Sequence, residues 1–174
     1  MATIVRKFMT HYFDTSFAYV PGETVPNRHS WYRIGEDLDE YNVDLNPTIA
    51  VAQNWLGYDV LIQENYEMSG EAKTFYARSG DGMFEALQDI IDNNKMNVDC
   101  FTLALDVKLW KYRSYSSGVE GYQAVMRPCY IVPVSYGGDT SGYQIPFNVY
   151  YLNHFITNGV FNPDGNGSGT FTKV

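Results

Sequence analysis

The stretch FTLALDVKL, residues 101–109, decides the fold class. Phe101, Leu103, Leu105, Val107 and Leu109 fall on one side of an extended chain, and Thr102, Asp106 and Lys108 on the other. A period of two held over this length marks a half-buried antiparallel strand. The pattern returns at residues 143–151, where Tyr143, Ile145, Phe147, Val149 and Tyr151 oppose Gln144, Asn148 and Tyr150. Residues 130–136 read as a further strand, and Pro133, which has no N–H to give a ladder, points to an edge or a bulge there. GGDTSG, residues 137–142, is a turn-rich connection into the strand at Tyr143. Residues 48–56 and 58–67 give two more strands, joined near Gly57.

One segment changes period. Met83, Phe84, Leu87, Ile90 and Ile91 recur at helical spacing, with Glu85, Gln88, Asp89 and Asp92 on the other face. Ser79 or Asp81 supplies an N-cap, Asn93 and Asn94 a stop, and Lys95 a cation for the negative end. The spacing predicts a helix over about residues 80–94 whose apolar face packs on a sheet. The expectation is a mainly β chain: an antiparallel β-sandwich or barrel with one flanking helix, in a single domain spanning 1–174. The Asn-, Gly- and Ser-rich residues 162–174 read as a mobile tail.

A chain of 174 residues buries enough surface to need no disulfide or metal staple. Its net charge of −8 argues against gripping nucleic-acid phosphates or an anionic membrane surface. There is no apolar run long enough for a transmembrane helix, and residues 1–10 lack the apolar core of a secretory signal. Cys100 and Cys129 have no metal-ligand spacing and are expected to be reduced and buried. The charge is not evenly spread. Residues 31–70 hold eight acids and a single base, Arg33, whereas the rest of the chain holds twelve acids and eleven bases. One reading of this is a solvated acidic loop followed by an ordinary exposed strand face.

Patterns that could carry chemistry fall short. The glycine-rich run at 137–142 lacks the Gly-Lys-Ser/Thr of a phosphate loop. Asp164, Asn166, Ser168 and Gly169 match only the first half of a calcium loop, whose bidentate Glu would fall beyond Val174. His11, His29 and His154 have no metal-binding spacing, and no nucleophile elbow occurs. Cys100 with a distant histidine could form a nucleophile pair, as in almost any chain holding both. The carboxylate pairs Asp37/Asp39 and Glu64/Glu67, with aromatic platforms, leave open a carbohydrate-binding or hydrolysing β-sandwich. No cofactor and no metal are expected.

Three blocks together resemble a known family. They are IVRKFMTHY (residues 4–12), FYARSGDGMFEALQDIID (75–92) and SYGGDTSGYQIPF (135–147), the last trailing into GVFNP (159–163). In this order they resemble the major tail tube proteins of long-tailed bacteriophages, particularly those infecting Gram-positive hosts, over the whole chain apart from about residues 14–30, which look like an insertion. The resemblance implies a β-sandwich with one helix and no catalysis or cofactor. It implies copies assembled as stacked hexameric rings, with inner strands closing a barrel around a channel. The tape measure protein and transiting DNA would occupy that channel without tight binding. Tail initiator and terminator proteins would be further partners, with no membrane involved. The location would be the virion tail, assembled in the host cytoplasm. The tube of a contractile tail or of a type VI secretion system is the close alternative; another virion or secretion component, such as a decoration or baseplate protein, is a further one.

Within that frame, residues 48–67 are expected to form the channel-facing hairpin. Asp59, Gln63, Asn65 and Glu67 share one parity and would point into the lumen, where carboxylates repel phosphates. Val60, Ile62 and Tyr66 would then face the sandwich core, and Glu64 would lie at an interface or strand end near a cation.

Overall fold

The computed structural model describes residues 1–20, 28–36 and 38–174. Among them the elements run β1 (Met9–Asp14), β2 (Trp31–Ile34), β3 (Val43–Asp44), β4 (Pro47–Gln53), β5 (Asp59–Tyr66), β6 (Ser69–Ala72), α1 (Gly82–Asp92), β7 (Phe101–Ser114), β8 (Glu120–Pro133), β9 (Gly137–Asp139), β10 (Gly142–Gln144), β11 (Phe147–Tyr151), β12 (Thr157–Pro163) and β13 (Gly169–Lys173). One-turn 3-10 helices precede β1 and β7. The fold is mainly β with one α-helix.

The main sheet is antiparallel in the order β2-β1-β7-β8-β11-β6-β3 and curls into a half-barrel. The long β8 carries two partners on one side: β11 along its C-terminal half and β12 along its N-terminal half, with β13 added to β12. This sheet is buried on both faces around its centre. On β1, Tyr12 and Phe13 point to opposite sides and enter two different clusters. One cluster joins Phe13, Ala104, Ile131, Phe147 and Val149 to Met83 and Leu87 of the helix. The other joins Tyr12, Leu103, Leu105, Val107, Met126 and Phe161. The strand at 101–109 was expected to be half-buried, but residues 102–107 are buried on both faces. Its polar residues are accommodated by partners. Thr102 Oγ1 donates to the Asp14 carbonyl, and the Asp106 carboxylate accepts from Arg127 at 2.8 Å and meets His11 Nδ1 at 2.7 Å.

Helix α1 lies inside the predicted span. Asp81 is its N-cap, accepting from the amides of Met83 at 2.8 Å and Phe84 at 3.3 Å. Its other carboxyl oxygen takes the Tyr32 hydroxyl proton at 2.6 Å, tying the cap to β2. At the far end Asn94 adopts a positive φ, and the amides of Asn94 and Lys95 close onto the carbonyls of Ile91 and Ile90. Met83, Leu87 and Ile90 are buried; Phe84 and Ile91 are partly buried against the first cluster.

Two sequence expectations need correction. The strand read at 143–151 is broken at Pro146: β10 pairs with β9 in a separate hairpin, and β11 joins the main sheet. The C-terminal segment is ordered as a β-hairpin, not a mobile tail. β13 pairs with β12 along residues 159–173, and Phe171 packs on the second cluster. The glycines and asparagines that suggested mobility form the tight turn instead. Asp164 accepts from the amides of Asn166 at 2.7 Å and Ser168 at 3.2 Å, with Gly165 and Gly167 at positive φ. The segment read as an insertion falls between β1 and β2, and residues 21–27 of it lie outside the described residues.

A projecting hairpin as the candidate functional site

β4 and β5 pair with each other and, among the described residues, with no other strand. Every residue of both strands is solvent-exposed. This ribbon is held at its base by polar contacts. The Asn46 side chain donates to the Glu67 carbonyl at 3.0 Å and to Ser69 Oγ at 3.1 Å. The Asn153 side chain donates to the Tyr66 carbonyl at 2.6 Å and to Asn65 Oδ1 at 2.9 Å. The tip is equally well defined. Asn54 Oδ1 accepts from the amides of Leu56 at 3.0 Å and Tyr58 at 3.1 Å, and Gly57 turns the chain at φ 81°. That loop thrusts Trp55, 97% exposed, and Leu56 and Tyr58 into solvent.

The register places the predicted channel residues. Gln53 pairs with Asp59, Val51 with Leu61 and Ile49 with Gln63. The next pair is Thr48 with Asn65, so Glu64 is left over as a β-bulge. Thr48 and Ile49 are successive residues of β4 and face opposite ways, so Asn65 lies on the opposite face from Gln63. Asp59 and Gln63 therefore share a face, whereas Asn65 does not join them, and Tyr66, opposite Pro47, returns to the Asp59 side. Glu67 falls beyond the strand, its amide bonded to the Asn46 carbonyl at 3.3 Å. The single-parity reading fails because one extra residue in the strand reverses every later side chain.

The expectation that Val60, Ile62 and Tyr66 face the sandwich core is also overturned. They are 40%, 44% and 42% exposed. One face of the ribbon carries Ile49, Val51, Leu61 and Tyr66, and the other Ala50, Ala52, Val60 and Ile62. Large apolar side chains stand on both faces, and among the described residues nothing covers either. Neither the tip nor this double-faced character follows from the parity of the polar residues alone. The signal was present: a strand apolar at both parities needs burial on both sides.

Elsewhere the buried Asp14, Thr102 and Asp106 are engaged in holding the fold. Asp14 is fully buried and accepts from Ser16 N, Ser16 Oγ and Ser30 N, with His29 Nδ1 at 2.9 Å from its second oxygen. Ser16 gives its proton to the carboxylate and not to His29, which is the wrong order for activating a nucleophile. Burial pushes the thiols of Cys100 and Cys129 up, against thiolate formation. Among the described residues, no cluster of His, Cys, Asp and Glu has the arrangement of a metal site. A cleft of about 560 Å³ lies between the β1 start and the residue 33–42 segment. Its lining is mixed in charge, and its Tyr41 ring is buried with the hydroxyl 2.5 Å from that of Tyr151, so it offers no stacking platform. Asp37, of the proposed carboxylate pair, lies outside the described residues. No protein-family model matches the chain, and no curated protein matches it.

Proposed function

We propose that this chain is a structural subunit that polymerises, as stacked hexameric rings, into the hollow tail tube of a long-tailed bacteriophage, a conduit for DNA during ejection. The observation that carries the reading is the β4–β5 hairpin. A rigid ribbon of twenty residues, apolar on both faces and covered on neither, is a liability in a monomer. It becomes an asset when copies of the chain bury it. The three blocks of resemblance support the same conclusion, as does a chain whose buried polar groups are spent on structure.

The acidic segment suits a conduit. The hairpin carries Asp59 and Glu64, with Glu67 at its base, and no Lys or Arg. Carboxylates facing a lumen would keep phosphates sliding. In this reading neighbouring copies cover both faces of the ribbon, and Asp59 and Gln63, on the Leu61 face, lie where that face borders the channel. The partners are copies of the chain, the tape measure protein, the DNA, and the proteins that start and end the tube. The test is sedimentation of the purified protein across a concentration series, followed by negative-stain microscopy. Hollow tubes or rings support the assignment; a protein that stays monomeric throughout refutes it.

A further inference from the structure

We propose that the groove between the C-terminal end of α1 and the C-terminal end of β8 receives the hairpin tip, Trp55 and Leu56, of a second copy of the chain. The inference rests on the assembly reading above and names the receptor that reading lacks. The groove holds about 600 Å³ and is lined by Ile91, Met96, Val132, Val134 and Tyr136 among others. Met96, Val134 and Tyr136 are exposed apolar side chains. The lining contains no acid and one cation, Lys95, which is tethered to Asp89. The tip is the complement: two large apolar side chains with Asp59 just behind them and no base on the ribbon. The cleft by β1 is the wrong receptor, since Arg6, Lys7, Arg33, Glu36, Asp39 and Glu40 line it and an apolar tip would strip them of water.

An indole buried at the centre of a pocket is the typical anchor of contacts between protein chains. Tip and groove are different surfaces, so the contact is head-to-tail. Such a contact either closes into a ring or propagates as a filament, and never stops at a two-fold dimer.

The experiment uses the full chain in two forms. The tip variant is Trp55→Ala with Leu56→Ala; the groove variant is Val134→Glu, with Met96→Glu as a second groove variant should the first melt below the parent. All four positions are exposed, so urea melting is expected to match the parent. Each variant alone is expected to lose association by about tenfold or more, as for truncation of a buried anchor. Mixed in equal amounts, they retain one intact tip and one intact groove, and a 1:1 heterodimer appears in the ultracentrifuge that neither forms alone. The proposal is overturned if a folded groove variant associates like the parent, if the tip variant does so, or if mixing restores nothing. If the parent chain does not associate at all, the assembly reading falls with it.

Discussion

Replacing Leu61 with Ser separates the two roles a side chain can have here, holding its own chain together or holding two chains together. Leu61 is 67% exposed, so about a third of it is covered, and it stands opposite Val51 across the ribbon. Full burial of a leucine side chain is worth roughly 1.5–3 kcal/mol, so a third of it is worth about 0.5–1 kcal/mol. That is the ceiling for the loss of stability in the unassembled chain. Burying the remaining two thirds against another copy would contribute about 1–2 kcal/mol per contact, or roughly 5- to 30-fold in the association constant. Urea melting of dilute protein should thus barely move, while the concentration for half-association rises by that factor in sedimentation. A loss above about 2 kcal/mol in the dilute melt would mean that the ribbon packs on its own domain. An unchanged association constant would mean that this face of the ribbon is not an interface.

Three other substitutions probe the body of the fold. Leu87→Ala empties a fully buried position between α1 and the sheet and should cost about 2–5 kcal/mol in a urea melt; a cost below 1 kcal/mol would mean the helix is not docked. Gly70→Ala should cost about 1–3 kcal/mol in the same melt, because its Cβ would overlap the buried Tyr41 ring; an unchanged melt would mean that Tyr41 does not pack there. Asp14→Ala should cost about 2–3 kcal/mol at neutral pH, since buried donors from Ser16 and Ser30 lose their acceptor. The pH dependence has a definite sign. Desolvation works to raise the Asp14 carboxyl, but the bonds from His29, Ser16 and Ser30 outweigh it and hold the value below the ordinary 3.8. A folded value below the unfolded one gives stability that is complete above the ordinary carboxyl range and is lost as pH falls through the lower folded value. Acid titration of the parent should show that limb and the Asp14→Ala variant should lack its share of it; identical acid limbs would contradict the assignment.

Which features could be read in the sequence follows from how local their causes are. The helix could be read because its period, its Asp81 cap and its Asn94 stop all lie within one short segment. The β7 strand could be read from Leu103, Leu105 and Val107, but its second buried face could not, since the small or polar Ala104 and Thr102 are buried by partners distant in sequence. The same limit hid β1, whose residues 11–14 are all buried and show no alternation of burial. The C-terminal hairpin was hidden by its own turn: Gly165 and Gly167 signal a loop, and only the pairing of Phe161 with Phe171 shows that the chain returns to the sheet. The functional hairpin was found, joined near Gly57 as expected, but its facing was not. The bulge at Glu64 is a backbone event with no composition of its own. Apolar residues on an interface strand look the same as apolar residues on a core strand.

The central claim is that copies of this chain bury the β4–β5 ribbon while building a hollow tube. A cryo-electron microscopy map of the assembled particle tests it most directly. Stacked six-fold rings around an open channel are expected, with Ile49, Val51, Leu61 and Trp55 buried between subunits and Asp59 at the channel wall. A particle in which the ribbon projects freely from the outer surface, or a protein that yields no assembly to image, would contradict it.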